Sequence, residues 1–199
     1  RYVKDSVIMP LGLHAGHNID ELDMSKCASI YRYRDGQYVE SNAYGSVAHR
    51  FDDYIMGYSA PIFSPTGGVK ISAHDLATYM MMHMNYGQLN GVRIISEESA
   101  KTMQTPVWIK LTDDYYEDQY GLCLMEFVDF LDDPHYNTPG NYPVGHTGDA
   151  YGLRSIMIWS PADAWGIVAM TNGYTHKEGQ EFIQVLANAI YNAAIREEK

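Results

Sequence analysis

The chain has 199 residues, 46% of them hydrophobic and 20% charged, with a formal net charge of −11 at pH 7. That size and balance suit one or two folded domains with a substantial core and exclude a disordered chain. The acidic surface excludes nucleic acid as a partner, because a basic face is needed to displace its counterions, and disfavours docking on an anionic membrane.

No apolar run is long enough to span a bilayer, so no transmembrane segment is predicted. Cys27 and Cys123 leave the redox compartment open, and two thiols are the preferred reading over one bridge. The chain opens on Arg1-Tyr2-Val3 with no signal-peptide pattern, and is expected to be a processed or excised piece.

Val3, Val7 and Ile8 recur at helical spacing until Pro10-Leu11-Gly12-Leu13 ends the helix in a loop. His14, His17 and Asp20 follow, but an H-x-x-H lacks the spacing and the glutamate of a zinc-protease helix. Glycines at 12 and 16 also argue against a helix there, so solvated loop histidines are expected. Tyr31, Tyr33 and Tyr38 flank Asp35-Gly36, a hairpin signal. Residues 41–60 carry Tyr44, Phe51, Tyr54 and Tyr58 among scattered glycines, and read as a long surface loop walling a cleft.

Gly67-Gly68 then leads into Ser72-Ala73-His74-Asp75-Leu76-Ala77. Ser72 is placed to cap a helix with Asp75 three residues on. Leu76, Tyr79, Met80, His83 and Met84 share one face of that helix, and Gly87 closes it. The methionine run 80–84 reads as core rather than as a metal box. Asn90-Gly91 turns the chain, and Ser96 caps a short helix from Glu97 to Gln104 that stops before Pro106. The acidic run 112–118 lacks the spaced ligands of a calcium loop and is expected to be solvated. Residues 120–127 read as a strand, and 129–143 as a loop rich in proline.

Residues 151–159 and 165–171 are apolar runs joined by Ser160-Pro161-Ala162-Asp163, two strands about a turn. His146-Thr147-Gly148 stands at their start, with Gly145 before it. The last helix is expected to be capped by Thr175 with Glu178, burying Phe182, Ile183, Leu186, Ile190 and Ala194.

Taken together, Pro-Leu-Gly near residue 11, Gly67-Gly68 before Ser-Ala-x-Asp-Leu-Ala, Tyr120-Gly121-Leu122, and Gly-His-Thr-Gly before an apolar hairpin resemble the serine β-lactamase and penicillin-binding-protein-like superfamily. The class C β-lactamase-related branch, with its esterases and D-amino-acid peptidases, is the most similar. The resemblance implies an α+β fold, an antiparallel sheet with flanking helices, of which 1–199 would be the C-terminal portion.

The resemblance further implies that His146, Thr147, Gly148 and Asp149 form the third active-site motif, usually Lys-Thr-Gly. His146 would support proton transfer and carboxylate recognition, Thr147 would offer a hydroxyl, and the Asp149 N–H an oxyanion donor. Gly67, Gly68, Tyr151 and Gly152 would border the substrate. No metal and no cofactor are implied.

The S-x-x-K nucleophile is absent: the residues three before each lysine are Arg1, Asp23, Gly67, Glu98, Val107, Tyr174 and Arg196. A Tyr-x-Asn or Ser-x-Asn is missing too. The expected parent hydrolyses an amide, lactam or ester through an acyl-serine, acting on a small or peptide-like substrate in an exported bacterial protein. This chain alone is expected to be inactive, with the missing N-terminal region as its first partner. Two other outcomes are a non-catalytic module binding a peptidoglycan-like ligand or a protein, and self-association through exposed sheet edges.

Overall fold

The computed structural model describes every residue except 42, 43, 60, 61, 63–66, 112–115, 175–178 and 197–199. A π-helical turn, Lys4–Ile8, buries Ile8 and leads to β1 (Ala15–Gly16). Next come β2 (Tyr31–Arg34) and β3 (Gln37–Glu40), joined at Asp35 and Gly36 with φ of 51° and 80°. Two positive φ values make the turn that matches strand twist, which is why Asp-Gly closes hairpins. Residues 41–59, where described, hold one turn of 3-10 helix and no strand.

β4 (Lys70–Ile71) pairs antiparallel with β1 and runs into α1 (Ala73–Met84). Ser72 is extended, and its hydroxyl accepts the Asp75 N–H at 3.0 Å, so the expected cap is present. A small hairpin, β5 (Gln88–Leu89) and β6 (Val92–Arg93), precedes α2 (Glu97–Gln104), capped by Ser96.

The remaining elements are β7 (Trp108–Leu111), β8 (Tyr116–Tyr120), β9 (Met125–Glu126), β10 (Val144–Ala150), β11 (Leu153–Trp159), β12 (Gly166–Asn172) and α3 (Gly179–Ala194). The six strands form one antiparallel sheet in the order β12-β11-β10-β9-β8-β7. α1 packs on β11 and β12 from one side and α3 from the other.

Helices on both faces explain why β11 is apolar at every second position and between. Ile156 and Ile158 join Ile167, Ala169, Ile183 and Tyr191 under α3, whereas Met157 and Trp159 join Val144 and Met80 under α1. Each of the larger of these side chains contributes about 1.5–3 kcal/mol by leaving water.

Within the second cluster His83 is buried, edge-on to Tyr79 and stacked on Trp159 with centroids 5.9 Å apart. The Gln104 amide bridges the two elements: it accepts from the Trp159 indole at 3.3 Å and donates to the His83 carbonyl at 3.0 Å. Met80 and Met82 are core, as expected, but Met81 is 41% exposed.

Three expectations are corrected. Residues 120–127 are not one strand: β8 ends at Tyr120 and β9 begins at Met125, with Cys123 at φ 61° in the turn between. Gly121 lies so close to the end of α2 that a Cβ would sit 2.1 Å from the Met103 carbonyl oxygen. That contact bends the chain. The acidic run is not all loop, since Tyr116, Glu117 and Asp118 open β8; its residues 112–115 lie outside the described residues. His146-Thr147-Gly148 sits inside a strand of its own, and the first hairpin turn is Tyr151-Gly152. The Thr175 and Glu178 cap also lies outside the described residues. Cys27 and Cys123 are free thiols.

Candidate active site

β10 is bonded along its whole length to β11, from Val144 opposite Trp159 to Ala150 opposite Leu153. On its other side β9 meets only Val144 and Gly145. From His146 to Ala150, therefore, one edge of β10 has no strand beside it among the described residues. The Phe127 N–H donates to the Pro143 carbonyl at 2.8 Å, which fixes that odd-numbered residues turn their peptide groups toward β9. Because an antiparallel strand alternates, Thr147 and Asp149 present N–H and C=O to the open edge.

Glycine allows this closeness of β10 to β11. A Cβ on Gly145 would lie 1.9 Å from the Met157 carbonyl oxygen, and one on Gly148 would lie 2.5 Å from Ser155 Oγ. His146 is exposed, with its ring 6.5 Å from that of Tyr120. Its Nδ1 lies 2.5 Å from the Thr147 carbonyl oxygen. A carbonyl only accepts, so Nδ1 is the donor of this pair, and in the neutral ring Nε2 is then the acceptor.

Asp149 is held by two groups the sequence reading did not single out. Arg154 donates to its Oδ2 at 2.9 Å, and the Tyr174 hydroxyl donates to Oδ1. Arg154 is the cross-strand partner of Asp149, so the pair was readable once the register was known. Tyr174 comes from beyond the end of β12, and no local signal announces it. Burial and the Asp149 carboxylate both raise the Tyr174 phenol pKa, which keeps it a donor.

Tyr151 and Gly152 follow at the end of β10, where the β2–β3 hairpin meets Gly152 and Arg32 lies over the exposed Tyr151 ring. A Cβ on Gly152, at φ 100°, would lie 2.0 Å from the Tyr31 carbonyl oxygen. Asn172 fastens the hairpin, accepting the Tyr31 N–H and donating to the Ser29 carbonyl, both at 2.8 Å.

Gly67 and Gly68 lead into β4. The Gly68 carbonyl accepts from Lys70 Nζ at 3.0 Å, and burial lowers the Lys70 pKa. The cleft beside Lys70, about 310 Å³, is bordered by Ser72, Leu153 and Asn172 and not by His146. Among the described residues no group of three or more His, Cys, Asp or Glu side chains is placed to hold a metal ion.

The model of the family named Beta-lactamase matches residues 1–189. The chain belongs to the β-lactamase family. Among solved structures it is similar to an octameric penicillin-binding protein homologue from Pyrococcus abyssi, at 21% identity and TM-score 0.64, covering 96% of this chain and 37% of that one. It is also similar to a D-stereospecific amidohydrolase from Streptomyces sp., at 17% identity and TM-score 0.59, covering 94% of this chain and 46% of the other. A class C β-lactamase matches at 16% identity and TM-score 0.58, over 97% of this chain and 50% of its own. The chain thus spans half or less of these three structures, and they establish its fold. No curated protein matches.

Proposed function

We propose that residues 1–199 are the C-terminal portion of a serine hydrolase that cleaves an amide, lactam or ester through an acyl-serine. The observation that carries this reading is the open edge of β10, with the Thr147 and Asp149 peptide groups and the His146 ring beside it. A carbonyl lying along that edge has the Asp149 N–H as one oxyanion donor. A serine Oγ adds to the carbonyl carbon, the carbon–heteroatom bond breaks, and the leaving group takes a proton. Water then releases the acyl group. In its neutral form His146 accepts at Nε2 and so serves the proton transfers.

The serine must come from outside these residues, since no S-x-x-K occurs within them. An exported bacterial location belongs to the same reading and rests on the family resemblance. The test compares the 199-residue chain with the product of its whole reading frame on nitrocefin and a p-nitrophenyl ester. Turnover only by the longer product, abolished by a serine-reactive phosphonate, is the expected result. Turnover by the 199-residue chain, blocked by the same reagent, overturns the proposal. A non-catalytic binding module is the second reading, favoured by the missing S-x-x-K, and it prevails if the longer product lacks a serine that the phosphonate labels.

A further inference from the structure

On the β2–β3 hairpin Arg32 pairs with Val39 and Arg34 with Gln37, so the two arginines share one face. Tyr33 and Tyr38 share the other, and the Tyr38 ring lies against Gly173 at the end of β12. The arginine face and Tyr151 line a surface cavity of about 330 Å³.

The Arg32 guanidinium sits over the Tyr151 ring, 5.6 Å from its centroid. Among the described residues neither arginine makes an ion pair or a hydrogen bond. Glu40 also lines the cavity, but its carboxylate accepts from the Ser29 hydroxyl at 2.5 Å and belongs, by alternation, to the tyrosine face. Two neighbouring guanidinium groups that form no ion pair leave hydrogen-bond donors and positive charge that an anion in the cavity would engage.

These groups are also held in place relative to β10. Asn172 clamps the hairpin backbone at Tyr31, and the Tyr31 carbonyl fills the space a Cβ would occupy on Gly152. Tyr151 is two residues beyond Asp149, roughly 7 Å along the chain.

We propose that Arg32, Arg34 and Tyr151 form a subsite for a carboxylate, carried by the substrate on a short arm away from the bond that breaks. Guanidinium groups suit this because their planar forks match a carboxylate's two oxygens. Binding of the anion stands on the hairpin alone; its role as substrate specificity rests on the hydrolase reading above.

Two measurements separate these. In the first, glutarate is titrated into the protein while the Nε–H resonances of Arg32 and Arg34 are followed by NMR, with uncharged glutaramide as control. Saturable shifts with glutarate only, and affinity at least about tenfold weaker in the R32Q/R34Q double variant, are expected. Absence of saturation, equal binding of glutaramide, or equal binding by the variant overturns the subsite.

In the second, the product of the whole reading frame is assayed on mono-p-nitrophenyl glutarate and on p-nitrophenyl butyrate. The double variant should lower kcat/KM about tenfold for the anionic ester and leave the neutral ester unchanged. Turnover of both esters with no change in the variant removes the specificity role and keeps the hydrolase. Glutarate binding without turnover of either ester keeps the subsite and removes the hydrolase reading.

Discussion

The two ends of β10 are secured by different physics. At Gly145 the strand is wedged against β11 by bare backbone, with hydrophobic clusters on both faces of the sheet. At Tyr151 and Gly152 it meets a hairpin that is almost wholly exposed and is fastened by the amide of Asn172. Close packing tolerates no change of volume and concentrates stability, whereas a few polar bonds set geometry at small energetic cost. The contrast predicts that substitutions near Gly145 unfold the chain, while those at Asn172 move the hairpin and leave the core intact.

The largest effect is expected for Gly145→Ala, because the new methyl would overlap the Met157 carbonyl oxygen and only separation of β10 from β11 relieves it. Urea unfolding should show a loss of about 4 kcal/mol or more. A loss below about 1 kcal/mol would mean the two strands have slack that the packing does not suggest.

Next is an acid effect centred on His83. Burial among Tyr79 and Trp159 lowers its pKa to about 4 from an ordinary 6.5. The folded protein then binds fewer protons than the unfolded chain between those values, so stability rises with pH there. The contribution is complete above about pH 6.5 and is lost as pH falls toward 4, about 3 kcal/mol in all. A His83→Gln variant should flatten that slope in urea midpoints taken from pH 7 to pH 4, and an unchanged slope would assign the proton uptake elsewhere.

The smallest is Asn172→Ala, which removes two hydrogen bonds at the hairpin. About 1–2 kcal/mol should be lost, with faster amide exchange over β2 and β3 and no change in β11. Equal acceleration in β11 would show that hairpin and sheet are one unit after all.

Two strands of the sheet, β11 and β12, were legible because they are apolar runs bounded by turn residues, as at Ile156–Trp159 and Ser160-Pro161, whereas β7 and the opening of β8 carry no such signal. The caps at Ser72 and Ser96 and the Asp35-Gly36 turn were equally local signals. β10 was not legible as a strand, because Gly145, His146, Thr147, Gly148 and Asp149 carry no hydrophobic period. It is a strand because β11 pairs it residue by residue, and pairing is a non-local property. The grip of Arg154 and Tyr174 on Asp149 was hidden for the same reason. The turn after Tyr120 depends on α2 arriving beside Gly121, which no window of sequence around the glycine reveals.

The bridge made by Gln104 has a consequence for the timing of local opening. An isolated helix as short as α2, Glu97–Gln104, does not persist in water. Its last residue, however, is tied at once to the indole of β11 and to the backbone of α1. The protection of α2 amides against exchange should therefore follow that of the sheet interior, making this short surface helix one of the slower segments to open.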